Sequence, residues 1–197
     1  FLARHGYGHT LVPHTINYRA NIWALKEAGA SEIVAVATVG GIRNDCGPGV
    51  IAVPDQIIDY THGRTNTYFD GPDQPVTHID FTQPYDEGVR QRLLAAAGAA
   101  KEQVIDGGTY GCTQGPRLET AAEIGRLARD GCDLVGMTAM PEAALAREQD
   151  MPYASLAVVA NHAAGRGDSK HRIELDAIGP ILDQSMARVR KILAALR

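Results

Sequence analysis

The chain has 197 residues, of which 45% are hydrophobic and 21% charged, and its formal net charge is −4. These values fit a folded globular domain and exclude collagen-like, coiled-coil and disordered classes. The acidic balance argues against nucleic acid as a partner, since binding phosphate backbones needs a basic face, and no apolar run approaches the roughly 20 residues of a membrane span.

The chain opens Phe1-Leu2-Ala3-Arg4-His5, which reads as a strand entered midway. We therefore expect a single domain over 1–197 whose N-terminal part is missing. Pro13 opens a helical stretch to Lys26, with Ile16, Ala20, Trp23 and Ala24 on one face and Gly29 as its stop. Ile33 to Val39 is a continuous apolar run ending in Gly40-Gly41, the pattern of a strand buried on both faces. Val50 to Tyr60 reads as one strand with Pro54 near an edge. Residues 61–82 are rich in Gly, Asp, Pro, Thr and Asn and read as a long loop.

Glu87 to Ala100 is an Ala-rich helix, Gly108 to Thr113 a strand, and Leu118 to Arg129 a helix. Asp133 to Met137 is a short strand, followed by a helix from Pro141 to Gln149 and a last strand from Ala154 to Ala160. Leu175, Ile178, Leu182, Met186, Val189 and Leu193 mark a long amphipathic helix, with Arg188, Arg190, Lys191 and Arg197 near its negative end. Strands alternating with helices predict an α/β domain with a largely parallel or mixed central sheet. Polar residues gather after the strand ends, at Arg4-His5, Thr38-Gly40, Met137-Thr138 and Asn161-His162, the edge where open α/β sheets bind ligands.

Three cysteines, Cys46, Cys112 and Cys132, form no CxxC pair. That excludes a disulfide scaffold and a cysteine zinc knuckle and suits a reducing cytoplasm. His5, His9 and His14 raise the question of a metal, but the glycines around them deny a rigid helical face, and none is expected. Arg4 and His5 could instead line an anion site, because a guanidinium matches two oxygens of a phosphate or carboxylate. No Walker A, no GxGxxG before a helix and no GxSxG occurs, which weakens ATP, dinucleotide and α/β-hydrolase readings. Taken singly, Glu119 reads as an acid in the first turn of a helix, Met137-Thr138 as core and cap, and Asn161 as a turn residue.

Together these segments resemble the purine nucleoside phosphorylase and methylthioadenosine phosphorylase family. The matching stretches are Arg4-His5-Gly6 with His9-Thr10, Asn17-Tyr18 with Asn21 to Lys26, Gly40-Gly41, Gly115-Pro116-Arg117, Met137-Thr138 with Pro141-Glu142, and Asn161, all in family order. The resemblance implies a three-layer αβα domain in a homotrimer, with no metal or organic cofactor. The reaction it implies is phosphorolysis, in which inorganic phosphate is the co-substrate and a nucleoside gives free base and sugar 1-phosphate. By position, Arg4, His5 and Thr138 would hold phosphate, Arg4 bidentately, with the backbone at Ala37-Thr38. Met137 would lie under the ribose, Asn161 would face the purine N7, and Glu119 would face the N1 edge, with Leu118 in the substrate-binding set. His78 would reach the neighbouring subunit's sugar 5′ pocket. The family's Gly-rich phosphate loop is absent and would belong to the missing segment.

Departures from the family pattern suggest the substrate. The methylthioadenosine enzymes carry acids where Asn161 and Ala163 stand and a Ser in place of Glu119. A carboxylate at Glu119 accepts from an N1–H, and an Asn161 amide serves both O6 and N7–H, so the pair suits a 6-oxopurine. The ordinary nucleoside phosphorylases place a histidine against the ribose 5′-hydroxyl where Leu175 stands, and an apolar residue there suits a methylthio group. The expected substrate is S-methyl-5′-thioinosine. The alternatives are methylthioadenosine, inosine or guanosine as substrate, and a nucleosidase that uses water.

Overall fold

In a computed structural model, residues 1–73 and 75–196 are described; Gln74, which the sequence pattern puts in the long loop, and Arg197, which it puts near the end of the last helix, lie outside them. The elements are α1 (Tyr18–Glu27), β1 (Ile33–Gly41), β2 (Ile51–Val53), β3 (Gln56–Asp59), α2 (Glu87–Ala99), β4 (Ile105–Asp106), β5 (Thr109–Cys112), α3 (Ala121–Arg129), β6 (Leu134–Gly136), α4 (Ala139–Glu148), β7 (Tyr153–His162) and α5 (Ile178–Ala195).

The sheet has the order β3-β5-β6-β1-β7-β2-β4 and is mixed: β1–β7, β2–β4, β3–β5 and β5–β6 are parallel, and β1–β6 and β2–β7 antiparallel. The predicted strand Val50–Tyr60 is two strands. Only Pro54 and Asp55 separate β2 from β3, yet these strands lie towards opposite ends of the order. The sheet must therefore curl until its ends meet. Pro54 has no N–H to give a ladder, and Asp55 crosses to the Gly107-Gly108 turn instead, its backbone N–H donating to Gly108 O at 3.2 Å and its side chain accepting from Gly108 N at 2.8 Å. Gly107 has φ +85 and Gly108 φ +116, a conformation open to residues without a Cβ.

Helices cover both faces. Alternation along the central strands sorts the core: Ala35, Ala37, Val39, Ala157 and Val159 face α1 and α4, whereas Val34, Val36, Leu156 and Val158 face α2 and α5. This is the expected three-layer αβα arrangement around a mixed sheet. On α1 the buried stripe is Tyr18 and Ile22, with Leu25 half-buried, and Trp23 is exposed. The predicted face is out of register because Pro13–Thr15 is a separate 3-10 turn and the helix starts afresh where the Asn17 side chain accepts from Ala20 N. Helix α3 starts later than expected, at a capping box of Thr120 and Glu123. That leaves Leu118 and Glu119 on the loop before the helix, free to face the sheet edge. Residues 61–82 hold no helix or strand among those described, and no described helix is long and apolar enough to cross a membrane.

Candidate active site

The ends of β1, β6 and β7 open on one cavity of about 510 Å³, a size suited to a small molecule. Its wall includes Arg4, His5, Ala37, Thr38, Leu118, Glu119, Met137, Thr138, Asn161, Ala163 and Leu175. Of the residues expected to hold phosphate or nucleoside, only His78 stands apart: it is exposed on the long loop and does not line the cavity.

Asn161 owes its place to a bulge. The β1–β7 register runs Val39↔Val159 and then Gly40↔Asn161, so Ala160 is the extra residue. Bulges of this kind re-aim side chains beside sites. The Asn161 amide gives one N–H to His162 O at 2.6 Å, which leaves its second N–H and its Oδ1 for a ligand. On the wall of the same cavity, Glu119 Oε1 accepts from the Thr113 hydroxyl at 2.5 Å. The turn that carries Glu119 packs against Met137: Gly115 has φ +61, and a Cβ there would overlap the Met137 thioether.

Thr138 is the N-cap of α4, but its hydroxyl makes no capping bond. It accepts from Arg4 Nη1 at 3.4 Å instead. Arg4 is anchored more firmly elsewhere, with Nε at 2.9 Å and Nη2 at 2.7 Å from the two oxygens of Glu142, and Nη1 at 3.0 Å from Val36 O. The expected bidentate grip of Arg4 on an anion therefore cannot use its Nε side, which Glu142 fills. The terminal Nη1/Nη2 edge remains.

His5 Nδ1 lies 2.8 Å from Leu11 O. A carbonyl only accepts, so Nδ1 carries the proton and Nε2 is the free nitrogen. Burial pushes the His5 pKa below its ordinary value, and the charges of His9 and Arg4 act the same way against the Leu11 contact. The His5 and His9 rings stack at 4.5 Å between centroids. Among the described residues, no group of three or more His, Cys, Asp or Glu is arranged to hold a metal ion.

Two groups escape a reading of the sequence. Arg64, in the long loop, donates to the carbonyls of Met137 at 2.8 Å, Met140 at 2.6 Å and Gln114 at 2.9 Å, and more distantly to Thr113 O at 3.3 Å. It ties the Thr113-Gln114 segment to the Met137 turn, and nothing in its polar surroundings in the sequence marks it. Ile173 and Ile178 join Leu175 in an apolar wall. Helical spacing marks Ile178, but the site role of both depends on where the chain enters α5.

The family model described as the phosphorylase superfamily matches residues 1–196. The chain is 55% identical over 194 residues to a protein of Pseudomonas syringae pv. tomato named "probable S-methyl-5′-thioinosine phosphorylase", covering 98% of this chain and 78% of that one. It is 50% identical over 175 residues to the 6-oxopurine nucleoside phosphorylase of Pyrococcus furiosus, covering 86% of this chain and 66% of the relative. Among solved structures, the methylthioadenosine phosphorylase of Schistosoma mansoni in complex with adenine superposes with a TM-score of 0.92 at 33% identity, covering 99% of this chain and 74% of that one. The chain belongs to the phosphorylase superfamily.

Proposed function

We propose that the chain is a nucleoside phosphorylase that converts S-methyl-5′-thioinosine and inorganic phosphate to hypoxanthine and 5-methylthioribose 1-phosphate. The observation that carries this reading is the meeting of Glu119 and Asn161 on the cavity that also receives Arg4 and Thr138. The relatives named for methylthioinosine and for 6-oxopurine nucleosides support the same class of base.

The chemistry follows from the groups present. Cleavage of a glycosidic bond builds positive charge on the sugar and negative charge on the base. Arg4, His5 and Thr138 hold phosphate below the sugar, where it serves as nucleophile and as counter-charge. The Asn161 amide bonds to the purine at N7 and O6 and stabilises the departing base. Glu119 accepts from N1–H, which a 6-oxopurine has and neutral adenine lacks. Met137 packs against the ribose, and the apolar wall of Ile173, Leu175 and Ile178 suits a methylthio group. A cytoplasmic homotrimer with neither metal nor organic cofactor completes the reading.

The deciding experiment measures base release from methylthioinosine, methylthioadenosine and inosine, with and without phosphate. The expected order places methylthioinosine first and makes every rate phosphate-dependent. Faster cleavage of methylthioadenosine would overturn the base assignment, and faster cleavage of inosine the sugar assignment. Release in phosphate-free buffer would make the protein a nucleosidase.

A further inference from the structure

Glu142 lies in the first turn of α4, is buried, and does not line the cavity. A carboxylate removed from water needs partners for both oxygens. Oε2 accepts from Arg4 Nε at 2.9 Å, and Oε1 accepts from Arg4 Nη2 at 2.7 Å and from the Tyr153 hydroxyl at 3.0 Å. Tyr153 is itself fixed. It is buried at the start of β7, and its ring stacks on Tyr85 at 5.9 Å between centroids.

The plane of the Arg4 guanidinium is thus set by α4 and β7, from behind the cavity wall. A guanidinium has five N–H groups in a fixed fork. Glu142 takes one from Nε and one from Nη2, and Val36 O takes one from Nη1. The remaining N–H of Nη1 reaches only the long Thr138 contact, and that of Nη2 meets no partner among the described residues. These last two form the edge beside Thr138.

We propose that Glu142 is a positioning residue for phosphate: by filling the Nε side of Arg4, with Tyr153 steadying its carboxylate, it presents the Nη1/Nη2 edge to the anion. The inference rests on the phosphorolysis proposed above. Because the pair is neutral as a whole, Arg4 recognises the anion by the direction of its N–H groups more than by net charge. That orientation is what a substitution at Glu142 removes.

The test is steady-state kinetics on Glu142→Gln and Tyr153→Phe with phosphate and, separately, arsenate as the anion. Gln keeps the size of the side chain but loses one acceptor and the charge. The expected result is a KM for phosphate raised about tenfold to a hundredfold, with the KM for methylthioinosine within about twofold of the parent. Arsenate should show the same split. Tyr153→Phe keeps the stacked ring and should raise the KM for phosphate by a smaller factor, about two- to fivefold, which preserves the test if the Gln variant does not fold. The proposal fails if the KM for phosphate is unmoved in the folded variants, or if both KM values rise together as general loosening would make them. If the unaltered protein releases base without phosphate or arsenate, the phosphorolysis reading fails and takes this inference with it.

Discussion

The Thr113 hydroxyl, just past the end of β5, donates to Glu119 Oε1 across 2.5 Å. One oxygen of the carboxylate is thereby satisfied within the protein. The other, Oε2, has no hydrogen-bond partner among the described residues and is the acceptor open to a base. Glu119→Gln replaces part of that acceptor with a donor. It should lower kcat/KM for methylthioinosine by about tenfold to a hundredfold and leave methylthioadenosine unharmed or improved. Thr113→Val should move the same ratio in the same direction by a smaller factor. Parallel kinetics on the two nucleosides check both variants; an unchanged ratio in Glu119→Gln would remove Glu119 from base recognition.

In the proposed reaction Asn161 acts at a different moment: its amide would face charge that develops only as the bond breaks, so its loss should appear mainly in kcat. Donors of this type are commonly worth about 3–4 kcal/mol, and Asn161→Ala should lower kcat by a factor on the order of 10² to 10³. Single-turnover measurements isolate the step. Unaltered turnover would exclude Asn161 from the chemistry.

Leu175 is 63% exposed although it lines the cavity, so it stands at the cavity rim; in the proposed binding mode a substituent at the sugar 5′ position would emerge there. A hydroxyl facing Ile173, Leu175 and Ile178 finds no partner, which costs about 1–3 kcal/mol. Leu175→His supplies one. The ratio of kcat/KM for inosine over methylthioinosine should rise about tenfold. Competition between the two nucleosides in one reaction reads this ratio directly.

Much of this arrangement is legible in the sequence, and the remainder is not for identifiable reasons. The apolar run Ile33–Val39 and the Gly40-Gly41 after it mark the central strand and its ligand edge, because a strand buried on both faces leaves a continuous signature. The helix entry at Thr120 is written as a capping box, yet the preceding Leu118 and Glu119 read as helical, since a cap is defined by backbone angles. The break at Pro54-Asp55 is hidden because curling of the sheet is a long-range property. Tertiary contacts alone reveal that β2 and β3 belong towards opposite ends of the strand order. Arg64 and Thr113 gain their roles only from the carbonyls and the carboxylate that the fold brings to them.

His5 predicts a pH effect of definite sign. Its folded pKa lies below the ordinary 6.5 because burial disfavours the cation. The unfolded chain therefore takes up a proton first as pH falls. Any stability contributed by the neutral ring is present above 6.5 and is lost as pH falls through the folded value. An anion placed against Nε2 reverses the preference, since it favours the imidazolium. Binding of sulfate, which has no proton to exchange near neutrality, should consequently take up a proton at mildly acid pH. Calorimetry in buffers of different ionisation enthalpy reports that uptake. It should disappear in His5→Asn, and its persistence there would place the proton elsewhere.

Gly136 ends β6 directly before Met137, and its Cα lies against the Tyr110 ring: a Cβ at this position would overlap the phenol oxygen and press on Val39. The Tyr110 hydroxyl is buried with no hydrogen-bond partner among the described residues. Removing it should cost little, because the hydroxyl lies beside Thr138 without a well-formed hydrogen bond to lose. Gly136→Ala, by contrast, overpacks a rigid strand end and should destabilise the protein by about 1–3 kcal/mol. The two effects are coupled through one atom. In the double variant Gly136→Ala, Tyr110→Phe, part of the loss should return, since the oxygen that collides is gone while the ring carbon behind it still crowds the new methyl. Chemical denaturation of the two single variants and the double variant gives the coupling energy. A value near zero would mean that β6 shifts as a whole to admit the methyl group, and Met137 and Thr138 would then move with it, lowering activity in both variants that carry the Gly136→Ala change.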